Sequence, residues 1–192
     1  MSEFGTADPL ASTFQSSVEK TDSPSAFRVV TYNIHKGIGG IDRRYRPERI
    51  IETLQRYEPD IILMQEVDNR VPRSRLDCQF KLFAEAMGMK HHAYQRNVRL
   101  TRGHYGNAII SRFPLLDAQN VNLTIPLKKR RRALLTRCHL RFGGHQRTLV
   151  IGNVHLGLAG FERKIQLRKL LDHEIIRHTH SDTPMIIGGD FN

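Results

Sequence analysis

The sequence predicts an α/β fold, and three observations predict it. Apolar, β-branched runs of strand length recur at Phe27–Ile34, Ile61–Met64, Thr148–His155 and Met185–Ile187. Between them lie stretches whose apolar residues fall at helical spacing, as Ile50, Ile51 and Leu54 do. The apolar runs also end in polar groups at their C-terminal sides: Asn33, Glu66, Asn153 with His155, and Asp190 with Asn192. Ligand sites in sheets that alternate with helices gather at such ends. The alternation alone does not choose between a doubly wound sheet and other α/β arrangements.

In chain order, residues 1–26 are rich in Ser, Thr, Glu and Asp without an apolar period, and read as a disordered leader to a domain over residues 27–192. The strand Phe27–Ile34 delivers Asn33 to a glycine-rich loop, His35 to Gly40. Pro47–Tyr57 reads as a helix with proline in its first turn, broken by Pro59-Asp60. Ile61–Met64 is too short for a buried helix and delivers Glu66, a residue type seldom buried unless paired or metal-bound. Leu76–Gly88 is an amphipathic helix closed by glycine, followed by a strand over Lys90–Gln95 and a basic loop over Arg96–His104.

Tyr105–Ser111 is a further strand, with Asn107 near its beginning. Leu115–Leu123 and Ala133–Phe142 are strand candidates, and Gly143-Gly144 suits a hairpin tip before the strand that ends at His155. Between them the five cations Lys128–Arg132 favour an exposed loop near a polyanion. A helix is expected over Phe161–Thr179, its apolar side holding Phe161, Ile165, Leu170, Leu171 and Ile175. The last strand runs through Gly188-Gly189 into Asp190-Phe191-Asn192, where extended geometry would point Asp190 and Asn192 to one side.

Composition narrows the function classes. At 192 residues with 39% hydrophobic content the chain can bury a real core. The net charge is +11, and residues 27–192 hold 29 of the basic residues against 15 acidic ones. Such a field attracts DNA, RNA, phospholipid head groups or other phosphates, so an anionic phosphate-ester substrate is expected. No stretch approaches membrane-spanning length and the start lacks signal-peptide character, which together point to a cytoplasmic protein. Cys78 and Cys138 stand in unrelated segments without metal-ligand spacing and are expected as packing thiols. No protein partner is evident.

The strand-end residues carry the chemistry. A carboxylate able to hold a water or a metal, beside an amide able to donate to an anionic oxygen, is what phosphate-ester hydrolysis requires. Two carboxylates with one histidine and no thiolate suit a hard cation, Mg²⁺ or Mn²⁺, better than zinc.

Five segments in order, Thr31–Ile34, Leu63–Val67, Gly106–Arg112, Asn153–Leu156 and Gly188–Asn192, resemble the endonuclease/exonuclease/phosphatase superfamily of deoxyribonuclease I-like hydrolases. His35-Lys36-Gly37 and the basic loops are most similar to its bacterial metal-dependent phosphodiesterase branch. The resemblance implies a four-layered α/β sandwich of two mainly antiparallel sheets with outer helices, and divalent-metal-dependent cleavage of phosphate esters by a phosphodiesterase or nuclease. By the same resemblance Glu66 is a metal ligand and Asn33 its neighbour, and Asp190 positions or deprotonates the attacking water. Asn192 steadies the phosphoryl oxygens, His155 contacts the phosphate, and Asn107 supports them.

The family carries a further segment with a Ser-Asp-His motif that this sequence does not contain. The expectation is therefore an N-terminal portion of the domain, inactive and poorly stable alone. The alternative function is a non-catalytic basic module that binds nucleic acid or phosphate.

Overall fold

The computed structural model describes residues 26–142 and 145–192. The leader expected over residues 1–26, except Ala26, and the Gly143-Gly144 tip lie outside the described residues. Among the described residues eight strands form two four-stranded sheets. The first holds β1 (Val29–Asn33), β2 (Ile61–Asn69), β3 (His91–Arg99) and β4 (His104–Ser111), in the order β1-β2-β4-β3. The second holds β5 (Leu115–Asn122), β6 (Arg132–Phe142), β7 (His145–His155) and β8 (Met185–Asp190) in chain order. Only β1–β2 and β7–β8 pair in parallel; the other neighbours are antiparallel.

Side-chain alternation stacks these sheets. In β2, Ile61 and Leu63 meet Ile109 of β4, Leu134 and Cys138 of β6, and Leu149 and Ile151 of β7, which makes a layer between the sheets. Ile62 and Met64 point the other way, onto Ile50 and Leu54 of α1 (Pro47–Tyr57) and Phe80 and Phe83 of α2 (Gln79–Ala86). The second sheet turns Ala133, Leu135, Val150 and Val154 outward onto Leu170 of α3 (Gly160–Leu171) and Ile175 of α4 (Glu174–Arg177). The result is helix, sheet, sheet, helix, the four-layered sandwich that the resemblance implied. Strands buried on both faces read as continuous apolar runs, and each large side chain so enclosed contributes about 1.5–3 kcal/mol.

Three expectations are corrected. The loop expected over Arg96–His104 is confined to residues 100–103, because β3 continues to Arg99 and β4 begins at His104. Where the expected strand passes into that extension the inward residues are the amides Gln95 and Asn97, both buried, so the sequence shows no apolar alternation there. The helix over Phe161–Thr179 is two helices. At about 100° per residue, Leu170 and Ile175 on one continuous helix would lie about 140° apart, yet both are buried against the second sheet. The chain breaks at His173, which is extended (ψ 139°) and accepts the Ile175 backbone N–H on its ring Nδ1 at 3.4 Å. Phe161, Ile165 and Leu171, expected on the buried side, are exposed, and Gln166 is buried instead. The helix expected over Leu76–Gly88 begins only at Gln79, because Leu76 is left-handed (φ 63°) and Cys78 bridges to Asn69.

Candidate active site

The layer between the sheets changes character along its length. At one end it is Ile61, Leu63, Ile109 and Leu149. At the other, the same alternation delivers Thr31 and Asn33 from β1, Gln65 from β2, Asn107 from β4, Asn153 and His155 from β7, and Asp190 from β8. This polar pole is where the strand ends converge.

Asn33 Nδ2 donates to Asp190 Oδ2 at 2.7 Å, and the His35 backbone N–H donates to Asn33 Oδ1 at 3.1 Å. His155 Nε2 lies 3.7 Å from the same Asp190 oxygen. The other carboxylate oxygen, Oδ1, accepts the Asn192 backbone N–H at 2.9 Å. Gly189 permits this arrangement: its φ is +137°, and a Cβ there would stand 2.1 Å from the Val154 carbonyl oxygen. Asn192 departs from the extended geometry expected of it. It is left-handed (φ 57°), and its Nδ2 donates to the Leu156 carbonyl at 2.8 Å.

Glu66 reaches the site through a distortion of β2. Strict alternation would turn residue 66 toward the helices, away from Gln65. Between Met64 and Val67 the pairing with β4 slips, so that Gln65 and Glu66 together stand opposite Asn107. Glu66 is left-handed there, with φ 58°. A bulge of this kind re-aims a side chain beside an active site. The Glu66 carboxylate then accepts Lys36 Nζ at 2.5 Å. Lys36, itself left-handed at φ 63°, also sits 5.6 Å above the Tyr105 ring.

The electrostatics keep both carboxylates charged. Burial is the largest influence on Glu66 and opposes its ionisation, but the Lys36 ammonium, the Tyr105 hydroxyl and His155 together hold it below the usual carboxylate range. Asp190 is likewise held low: burial opposes, while Asn33, the Asn192 backbone, His155 and Arg131 prevail. Burial, followed by the nearby Arg131 charge, depresses His155 below the ordinary histidine value despite Asp190 and Glu66. Its buried Nδ1 has no hydrogen-bond partner.

Two expected polar residues lie beneath the site. Asn107 is fully buried, its Nδ2 3.4 Å from both Gln95 Oε1 and the Arg132 carbonyl, and its Oδ1 has no partner. Asn153 is saturated: it accepts from Gln65 Nε2 at 2.8 Å and donates to the Met64 and Ala108 carbonyls at 2.9 Å each. It pins one sheet to the other. The residues that strand-end reasoning did not select as site residues are Lys36, Tyr105 and Arg131. For Lys36 and Arg131 the available signal was only a glycine-rich loop and a cationic run.

Among the described residues no three His, Cys, Asp or Glu side chains cluster closely enough to cage a cation. The oxygens at this pole are the Glu66 carboxylate, paired with Lys36, the Asp190 carboxylate, bonded by Asn33 and Asn192, and the Asn33 amide oxygen, which accepts the His35 N–H. A hard cation that keeps several waters needs only one or two carboxylates.

Residues 30–192 match the model of the Endonuclease/Exonuclease/phosphatase family. The chain is 29% identical over 174 residues to the Escherichia coli K12 protein described as "Uncharacterized protein YbhP", covering 87% of this chain and 67% of that one. Among solved structures it is similar to an endonuclease/exonuclease/phosphatase from Beutenbergia cavernae (TM-score 0.71, 25% identity). That match covers 86% of this chain and 47% of the other, so this chain spans about half its length. A mannosyl-6-phosphatase from Bacteroides thetaiotaomicron, Bt3783, shares the fold at TM-score 0.65 and 18% identity, over 87% of this chain and 66% of that one.

Proposed function

The chain belongs to the endonuclease/exonuclease/phosphatase family, and from that premise we propose that its polar pole is a divalent-metal-dependent phosphodiesterase or nuclease centre using Mg²⁺ or Mn²⁺. The observation that carries the reading is the convergence on one Asp190 oxygen of Asn33 from one sheet and His155 from the other.

In this reading Glu66 and Asn33 would hold the cation, which would supply positive charge against the negative charge of the phosphoryl oxygens. Asp190, ionised at neutral pH and fixed by Asn33, orients a water and takes its proton as the new P–O bond forms and the ester P–O bond breaks. His155, held neutral, donates a hydrogen bond to a phosphoryl oxygen. The Asn192 amide, one N–H of which donates to the Leu156 carbonyl, offers its other N–H to the phosphoryl oxygens, and Asn107 supports the floor of the site. Cys78 and Cys138 are free thiols, in keeping with a cytoplasmic setting. Among the described residues no helix is long and apolar enough to cross a membrane.

A second reading, a non-catalytic phosphate- or nucleic-acid-binding module, is favoured by one observation: the Lys36 ammonium already neutralises Glu66 at 2.5 Å. Hydrolysis of bis-p-nitrophenyl phosphate with Mg²⁺, with Mn²⁺ and with chelator separates the two. Turnover that needs the cation and disappears in Asp190→Asn supports the enzyme. Phosphate binding with no turnover, both in this chain and in a chain carried to the full length of the relatives it matches, supports the module.

A further inference from the structure

Beside the polar pole, at the same end of the sandwich, a cavity of about 460 Å³ opens where β3 and β4 meet β5 and β6. Arg96, Arg99, Arg130 and Arg132 line it, with Asn97 and His104. No carboxylate lines it, and among the described residues none of these four arginines is ion-paired, although Arg28, Arg49, Arg73, Arg112 and Arg137 are. Isolated like charges gathered around one cavity repel each other and raise the free energy of the unliganded state.

The polar groups of the cavity are also left open. Asn97 is 96% buried, yet no hydrogen bond is made by its side chain, and its Oδ1 is enclosed without a partner. The Arg132 Nε–H is enclosed without an acceptor, as is His104 Nδ1 without a partner. Buried donors are almost always satisfied, so an enclosed guanidinium N–H at a cationic cavity points to a ligand rich in acceptors. Burial, then Arg96 and Arg99, depress the His104 pKa, which marks the positive potential there.

The cavity is one part of a track. A neighbouring cavity of about 520 Å³ shares Asn69 and His104 with it and adds Arg70 and Arg102. A further cavity of about 300 Å³, beside the loop that follows His155, is lined by Lys128, Lys129 and Arg131 but also by Glu162, which pairs with Lys128 at 3.0 Å. Asn69 stands three positions beyond Glu66 on β2, on the order of 10 Å of strand. Two basic cavities that share Asn69 and His104 suit successive phosphates of one strand better than a single small phosphate ester.

We propose that the arginine cavity is a phosphate subsite, separate from the reacting position, that takes a non-scissile phosphate of a nucleic-acid strand. The proposal rests on the phosphodiesterase reading above and specifies its substrate class. The substrate phosphate would satisfy Arg132 Nε and the guanidinium groups of Arg96, Arg99 and Arg130, which are exposed enough to be replaced without unfolding the protein.

The test compares Arg96→Ser/Arg99→Ser/Arg130→Ser with the unaltered protein, and with Arg141→Ser/Arg147→Ser at the opposite end of the sandwich. Anisotropy of a fluorescently labelled oligonucleotide against salt should show the triple variant weakened about tenfold or more. Its salt slope should fall by about 0.7 per lost contact with a single strand. Hydrolysis of bis-p-nitrophenyl phosphate, which has one phosphate, should not change, and the Arg141/Arg147 variant should match the unaltered protein in both assays. Unchanged oligonucleotide affinity and slope would overturn the subsite. So would an equal loss on both substrates, which would place the arginines at the reacting phosphate, or selective loss of binding to phosphatidylglycerol vesicles. If neither this chain nor one carried to the full length of its relatives hydrolyses anything, the catalytic reading fails while the binding arm still decides the subsite.

Discussion

Asn33 and Asp190 stand 157 residues apart in the chain, and one hydrogen bond of 2.7 Å between them ties the end of β1 in one sheet to the end of β8 in the other. The bond is charge-assisted, and bonds to charged groups contribute about 1.5–3 kcal/mol. Asn33→Ala should therefore lower stability by about that amount or less, since the site is only partly enclosed, and should raise the Asp190 pKa. Urea unfolding reads the first effect. The acid limb of the rate profile on bis-p-nitrophenyl phosphate reads the second, by moving toward higher pH. A profile that does not move would separate Asn33 from the function of Asp190.

Asn153 offers the contrasting case. Its side chain makes three hydrogen bonds across the two sheets and is fully buried. Asn153→Leu would remove the donor to the Met64 and Ala108 carbonyls, at about 1–3 kcal/mol each, while Gln65 Nε2 keeps Thr31 Oγ1 and the Leu63 carbonyl. The expected result is a loss on the order of 3 kcal/mol or more in urea unfolding, with metal affinity unaffected in whatever fraction folds. A variant of normal stability would show that the sheets are pinned elsewhere.

The contrast shows how much of the site could be read from residue order. Strand ends carrying Asn33, Glu66, His155 and Asp190 were legible because apolar runs mark strands and the polar residues follow them. Which of those groups is free for chemistry was not, since Asn153 resembles Asn33 in sequence and differs only in having every hydrogen-bonding group occupied. The alternation of β2 would even have turned Glu66 the wrong way; only its left-handed bulge corrects this, and no residue type there announces a positive φ. Lys36 escaped for the same reason, because its backbone conformation aims it. The ends of β3 and the first strand–helix boundaries were obscured where buried amides replace apolar residues.

Glu66→Gln keeps the shape of the side chain and removes its charge. If Glu66 holds the cation, calorimetric titration should show Mg²⁺ affinity falling by about tenfold or more, with circular dichroism unchanged. Lys36→Met acts in the opposite sense by freeing the carboxylate, and should tighten Mg²⁺ binding at neutral pH. Equal Mg²⁺ affinity in all three proteins would remove Glu66 from the site.

The pH dependence of stability has a definite sign. His155, Glu66 and Asp190 are all depressed in the folded protein, so the unfolded chain binds more protons and stability rises with pH. The contribution of each is complete above its ordinary pKa and is lost as pH falls through the folded value. Urea midpoints should therefore decline first in the mildly acid range as the histidine term fades, then more steeply below the ordinary carboxylate range. Exposed Asp42, held at about 2 by Arg49, continues the decline to strong acid. His155→Asn should diminish the mildly acid phase, leaving the part that belongs to His92 and His104, which burial also depresses. An undiminished phase in that variant would assign it to those histidines alone.

Gly189 decides whether the site can form at all. Its φ of +137° is a conformation that side-chain-bearing residues rarely adopt, and an added Cβ would meet the Val154 carbonyl oxygen at 2.1 Å and its nitrogen at 2.7 Å. Both atoms belong to the β7 backbone, which cannot swing aside as a flexible side chain could. Val154 is the partner of Gly189 in the parallel pairing, and His155 is the partner of Asp190. Gly189→Ala must therefore separate β8 from β7 at the step that sets the 3.7 Å spacing of His155 and Asp190. The expected cost is several kcal/mol, combining backbone strain of about 1–3 kcal/mol with the displaced pairing. Hydrolysis should fall further than stability. Gly188→Ala is the comparison: its Cβ would meet only the Leu63 side chain, at 2.8 Å, so it should cost less and keep more activity per folded molecule. If the two variants prove equal in urea midpoint and in turnover, the close approach of Gly189 to Val154 does not position Asp190.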